Sequence, residues 1–145
     1  MLCFSCRHEE STSTKTFITN NSSHSIEIIP YYQGVISNVD IKYIAPNSTL
    51  PILTNHTRGK SAGYSYPIYL IAVDSIYVLY DNLKTVVYYK ENSTGNNPKA
   101  ITYDSSRSIY NEANYIRKIT QEDKRSISNE YTFTFTEQDF LDAKK

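Results

Sequence analysis

Along most of the chain, apolar and polar residues alternate in short runs, and a period of two predicts β-strands. Thr16–Asn20 is the first such run, closed by Asn20-Asn21-Ser22-Ser23, and Ser25–Pro30 is the second. The short polar link between them predicts a hairpin. In the second run Ile26 and Ile28 share one face and Glu27 takes the other. Val39-Asp40-Ile41-Lys42-Tyr43 alternates as cleanly, predicting Val39, Ile41 and Tyr43 inward and Asp40 and Lys42 in water. Ala45-Pro46-Asn47-Ser48 reads as a turn into Thr49–Leu53, and residues 54–66, with Gly59, Gly63 and several Ser and Thr, as a long loop. Pro67–Val73 is nearly all apolar, as suits a strand covered on both faces.

In the next run Ile76, Val78 and Tyr80 share a face, Asp81-Asn82 supplies a turn, and Lys84–Lys90 completes a second hairpin. Residues 91–99 are turn-like, and Ala100–Tyr103 reads as a short strand. Ile109, Ala113, Ile116 and Ile119 fall at helical spacing and predict a short helix near 111–119. Asn129–Thr136 is the clearest strand, with Tyr131, Phe133 and Phe135 inward and Thr132, Thr134 and Thr136 outward. A helix follows, because Thr136 is a good N-cap and Asp139 stands three residues on, with Phe140, Leu141 and Ala143 to dock it. The fold class is therefore all-β: an antiparallel β-sandwich of about seven to nine short strands with a short C-terminal helix. Residues 7–14 lack any apolar period, so residues 1–14 read as a leader remnant and polar tether and residues 15–145 as the sandwich domain.

Composition narrows the function. Fifteen Lys and Arg balance fifteen Asp and Glu in 145 residues, and no basic block exists to neutralise phosphates, which argues against a nucleic-acid partner. A chain of this size buries a core without disulfides. Both cysteines, Cys3 and Cys6, fall in the first six residues, where no βαβ setting supports a redox pair. His8, His24 and His56 show no paired ligand spacing, so neither metal nor cofactor is expected.

Leu2-Cys3-Phe4-Ser5-Cys6 resembles the end of a bacterial lipobox, a small residue preceding the cysteine that is acylated. It departs in having Cys3 where Leu is usual, and only five residues precede Cys6, so a basic and apolar leader would have to lie before Met1. The segments Asp74-Ser75-Ile76-Tyr77-Val78-Leu79-Tyr80-Asp81, Lys84-Thr85-Val86-Val87-Tyr88 and Tyr131-Thr132-Phe133-Thr134-Phe135-Thr136-Glu137-Gln138-Asp139-Phe140 resemble small uncharacterised lipoproteins of Bacteroidetes with a Tyr-Thr-Phe-Thr-Glu-x-Asp ending. Gln138 stands where that group has an acid and Phe140 where it has Tyr. The resemblance implies lipid attachment at Cys6 and a place in the cell envelope as an outer-membrane lipoprotein, and it carries over no catalytic residue. Arg7-His8-Glu9-Glu10 is similar in kind to a signal for export to the cell surface.

Candidate chemistry is sparse. No Gly-x-Ser-x-Gly elbow presents a nucleophile to a histidine. Glu27, Asp40, Asp74, Asp81 and Glu91 sit on polar faces or turns, where solvated charge accounts for them, and Asp74, Asp81 and Asn92–Asn97 lack calcium-loop spacing. The five Asn-x-Ser/Thr sequons, at Asn20, Asn21, Asn47, Asn55 and Asn92, follow from an Asn- and Ser-rich composition. What remains is an excess of tyrosine, 14 residues, with adjacent pairs that cannot all face one core. Tyr31, Tyr32, Tyr64 and Tyr66 are the expected ligand-binding residues, as an aromatic loop patch for a glycan or protein partner. The expectation is a lipid-anchored, non-enzymatic binding module; the alternative is a small extracytoplasmic hydrolase acting on glycan or peptide.

Overall fold

The computed structural model describes residues 9–60, 73–90 and 99–145. Within them ten strands and one short α-helix form an all-β sandwich of two sheets. The first sheet holds β1 (Ser11–Asn21), β5 (Ser48–Arg58), β9 (Ile116–Glu122) and β10 (Ser126–Thr136), in the order β5-β1-β10-β9. The second holds β2 (Ile26–Tyr32), β3 (Val35–Ile36), β4 (Lys42–Ile44), β6 (Ser75–Tyr80), β7 (Lys84–Tyr89) and β8 (Ala100–Ile101). Its order is β3-β2-β6-β7-β8, with β4 also on β2. The helix α1 (Glu137–Asp142) follows β10. Both sheets are mixed, because β1 runs parallel to β10 and β7 parallel to β8.

The core forms where the predicted apolar faces meet. Ile18, Tyr131, Phe133 and Phe135 of the first sheet pack toward Ile26, Ile28, Ile76, Val78, Tyr80, Val86 and Tyr88 of the second, all buried. Phe133 and Phe135 cross edge to face at 5.0 Å, and Phe135 meets Tyr80 at 6.3 Å and Tyr88 at 6.2 Å in the same manner. The β6–β7 hairpin turns through Asp81 and Asn82 at φ 50° and 58°, a left-handed pair that Asp and Asn tolerate. At the other end of the chain Asp139 Oδ2 accepts from Thr136 N at 2.6 Å and Thr136 Oγ1 at 2.8 Å, which starts α1 where the sequence places it. The same carboxylate takes Arg107 Nε at 2.8 Å and Nη2 at 2.5 Å, and that Nη2 also donates to Thr134 O.

Several local expectations are overturned. No hairpin joins the first two runs: β1 and β2 lie in different sheets, and the link between them crosses from one layer to the other. Asn20, wholly buried, fixes that corner. Its Nδ2 lies 2.7, 3.3 and 3.1 Å from the carbonyls of His24, Ile44 and Ala45, while its Oδ1 accepts from Ser22 N and Oγ. The run at Val39–Tyr43 splits into a 3₁₀ turn, Asn38–Asp40, and β4 in the opposite phase, with Ile44 buried and Tyr43 65% exposed. Residues 54–58 are strand instead of loop, and β1 begins at Ser11, inside the segment read as tether. The helix expected near 111–119 is a 3₁₀ turn, Glu112–Asn114, followed by β9. Ile116 and Ile119 are exposed there, so their spacing marks no helix face, and the ladder to β10 decides the conformation. Leu141 points to solvent, leaving Phe140 and Ala143 to dock α1. Pro67–Ala72 lies outside the described residues.

Asn20→Ala should lower the unfolding free energy in urea by about 3 kcal/mol, since three carbonyls and two donors lose one buried hub. Ile116→Thr should change it by less than about 0.5 kcal/mol. Equal effects would remove the corner from its place in holding the sheets together.

Candidate functional site

The outward face of the second sheet collects the tyrosines that the core does not use. On β2 and β6 every second side chain points outward, and pairing sets them in rows: Tyr31 beside Ser75 beside Tyr89, Ile29 beside Tyr77 beside Val87, and Tyr43 beside Glu27 beside Leu79. The Tyr31 and Tyr77 rings lie 4.6 Å apart at 42°. Desolvation first, and then the neighbouring phenols of Tyr89 and Tyr31, push the Tyr77 hydroxyl above its ordinary range, so it remains a donor. At the other end of this face is an open recess of about 220 Å³ lined by Ser25, Glu27, Tyr43, Leu79, Asp81 and Asn82. From Glu27 to Tyr31 the strand rises about 13 Å, so tyrosine cluster and recess form one continuous strip.

Of the residues singled out in the sequence, Tyr31 stands in this strip and Tyr32 does not. Adjacent on β2, they face opposite ways: Tyr32 packs against the core and donates its hydroxyl to Asp40 Oδ2 at 3.2 Å. Burial first, and then the Asp40 charge, raise the Tyr32 pKa. Both belong to a strand and not to a loop. Tyr64, Tyr66 and Cys6 lie outside the described residues. The strip's other members were not anticipated. Tyr77 was accessible in principle, because it alternates with Ile76 and Val78. Tyr43 was hidden by the phase reversal at β4.

Beside the recess stands a histidine with a carboxylate at each ring nitrogen. His24 Nδ1 lies 2.6 Å from Asp81 Oδ2, and Nε2 lies 3.2 Å from Glu137 Oε1. The imidazole stacks on Phe140 at 3.4 Å and 17°, and Lys84 Nζ sits 4.3 Å from the same Phe140 ring's centroid. Ser25 N and Oγ donate to Asp81 Oδ1, each at 2.7 Å, and Ser23 N and Oγ donate to Glu137 Oε2. The serine hydroxyls thus serve the carboxylates and not the imidazole. The two carboxylates occupy both nitrogen-bearing edges of the ring and leave neither facing a nucleophile, so the cluster is a clasp joining the β1–β2 corner, the β6–β7 turn and α1. The carboxylates meet opposite edges of the ring and share no coordination point. Among the described residues no group of three or more His, Cys, Asp or Glu is placed to hold a metal ion. His56 is exposed on β5, far in register from any acid partner named here.

No protein-family model matches the chain, and neither a curated protein nor a solved structure matches it. Among the described residues no helix is long and apolar enough to cross a membrane.

The clasp has a pH signature. Hydrogen bonds from Ser25, and then His24, hold the Asp81 carboxyl below its ordinary range, and the Ser23 backbone N–H does the same for Glu137. Asp123, in the β9–β10 turn, is pulled to about 2 by Ser126 and the Arg125 N–H. Each binds protons less readily folded than unfolded, so stability is present above the usual carboxylate pKa and is lost as pH falls through the folded values. Urea midpoints should therefore decline from the usual carboxylate range down toward pH 2. Asp81→Asn should flatten the upper part of that slope, and an unchanged slope would show the clasp to be without effect.

Proposed function

We propose that this protein is a lipid-anchored cell-envelope module that holds a glycan on the outward face of its second sheet without transforming it. What carries the reading is the strip itself, which joins the tilted Tyr31–Tyr77 ring pair to a polar recess over the length of two or three sugar units. Tyrosine suits such a surface, because its ring packs on the apolar face of a pyranose while its hydroxyl stays wet. In the recess Tyr43 offers another exposed ring, and Glu27 and Asn82 offer acceptors and a donor pair for sugar hydroxyls. A sheet face ending in an open recess fits holding better than turnover, and His24, with its two acid partners, has both nitrogens engaged. This gives the hydrolase alternative less support. Anchoring rests on the lipobox-like Phe4-Ser5-Cys6, in which Cys6 would carry the acyl chains and attach the module to the outer membrane.

Retention on an immobilised oligosaccharide panel should weaken about tenfold for Tyr77→Ala and for Tyr43→Ala, with thermal stability kept in Tyr43→Ala because that side chain is exposed. Wild-type retention of no glycan, or retention untouched by either change, would sink the glycan reading; capture of a purified envelope protein instead would assign the strip to a protein partner. Mass spectrometry of protein from its native membrane should find Cys6 acylated, and an unmodified Cys6 would overturn the anchor.

A further inference from the structure

The recess at the end of the strip carries charge of one sign. Of the residues that line it, Glu27 and Asp81 are acids and none is a cation. The lysines nearest in the ladders belong to the other face of the sheet. Lys42 stands opposite the buried Ile28, and Lys84 stands opposite the buried Tyr80, with its Nζ donating to the carbonyl of Phe140 at 3.0 Å.

The two acids are in unlike situations. Asp81 is engaged in the clasp: Oδ1 accepts from Ser25 N and Oγ, and Oδ2 lies against His24 Nδ1. It shapes the wall, and no ligand bond is assigned to it. Glu27 is half-buried on β2, between Tyr43 of β4 and Leu79 of β6, and makes no hydrogen bond or ion pair with any other described residue. Directly opposed residues hold their Cβ atoms about 5 Å apart, so the exposed Tyr43 ring adjoins this carboxylate. A carboxylate drawn partly out of water beside a ring and a leucine loses hydration that only a donor returns. An unpaired carboxylate next to an open aromatic ring suits an ammonium group. The acid accepts charge-assisted hydrogen bonds, and the ring attracts the cation through its quadrupole.

We propose that the recess selects its glycan by a protonated amine: it holds a hexosamine whose unacetylated amino group donates to Glu27 and lies against Tyr43. This rests on the reading of the strip as a glycan surface and narrows it from sugars at large to amino sugars. Like charges on Glu27 and Asp81 turn away acidic sugars. Calcium takes six to eight oxygens, and one unengaged carboxylate falls far short of that set. A sugar hydroxyl in the amine's place also donates to Glu27, but a bond with charge on both partners is shorter and stronger, and that difference is what the recess reads.

The test titrates the full chain, by calorimetry, with three β-linked trisaccharides that differ at one substituent of each ring: the glucosamine trimer, its N-acetylated form and the glucose trimer. The glucosamine trimer should bind about fivefold more tightly than the other two at low salt, the size of effect a partly exposed ion pair supplies. Its advantage should shrink as salt screens the pair. Glu27→Gln, which keeps the shape and removes the charge, should abolish the advantage and leave affinity for the glucose trimer unchanged, which also shows the variant to be folded. Equal affinity for all three, an advantage in the wild type that salt does not reduce, or one that survives Glu27→Gln would overturn the amine proposal. Trilysine binding as tightly as the glucosamine trimer would overturn it too, by giving the recess to peptide amines. Binding of none of the three would end the proposal as well, whereas the glycan reading falls only if the wider oligosaccharide panel is also unbound.

Discussion

Everything in this fold depends on one long-range pairing. β1 and β10 lie parallel and in register for eleven residues, Ser11 opposite Ser126 through Asn21 opposite Thr136, so that the beginning and end of the domain form the middle of the first sheet. Parallel neighbours need a crossover, and here almost the whole chain serves as one. That pairing sets Ile18 beside Phe133 and Asn20 beside Phe135, and it thereby defines the surface on which the second sheet rests. It also delivers Thr136 to the start of α1, within reach of the His24 clasp through Glu137. A domain closed this way places most of its cooperative stability in contacts distant in sequence, and slow folding is the expected companion of such topology.

The two regions of chemical interest are consequences of what the core excludes. Tyr80, Tyr88, Tyr110, Tyr115 and Tyr131 are buried, and Tyr110 and Tyr115 settle their hydroxyls on the carbonyls of Val73 and Ile109. Tyr31, Tyr77, Tyr89 and Tyr43 are displaced to the outer face by strict alternation on β2, β4, β6 and β7. One residue type thus builds both the interior and a surface strip.

The sequence was most readable where apolar residues carried the alternation. Ile76-Val78-Tyr80 and Tyr131-Phe133-Phe135 turn inward as their pattern requires, and the Thr136–Asp139 cap starts its helix. β1 was only half legible, because its inward positions Thr12, Thr14 and Thr16 are buried hydroxyls, and a period written in threonine looks like a polar tether. Thr12 shows why burial is tolerable there: its Oγ1 donates to Gly59 O at 2.7 Å. β9 was misread for the opposite reason, as Ile116 and Ile119 suggest a helix face but reach solvent. The candidate site was legible as an excess of tyrosine and illegible as a place, since register across β2, β4, β6 and β7 decides which phenols become neighbours. The crossing at Asn20 could not be told from a hairpin by the residues between two strands, because the carbonyls it grips belong to His24, Ile44 and Ala45.

The orientation of β1 has a mechanical meaning. Ser11 at its start and Thr136 at the finish of β10 lie at opposite ends of the same ribbon, since the two strands point the same way. A pull that draws the leading end of the chain away from its trailing end therefore slides one strand along the other. The rungs between them are then stressed together in shear, and none can peel open first. A body moored at its leading end in flowing liquid would feel drag along that axis, and this geometry resists it where an antiparallel terminal pair would unzip.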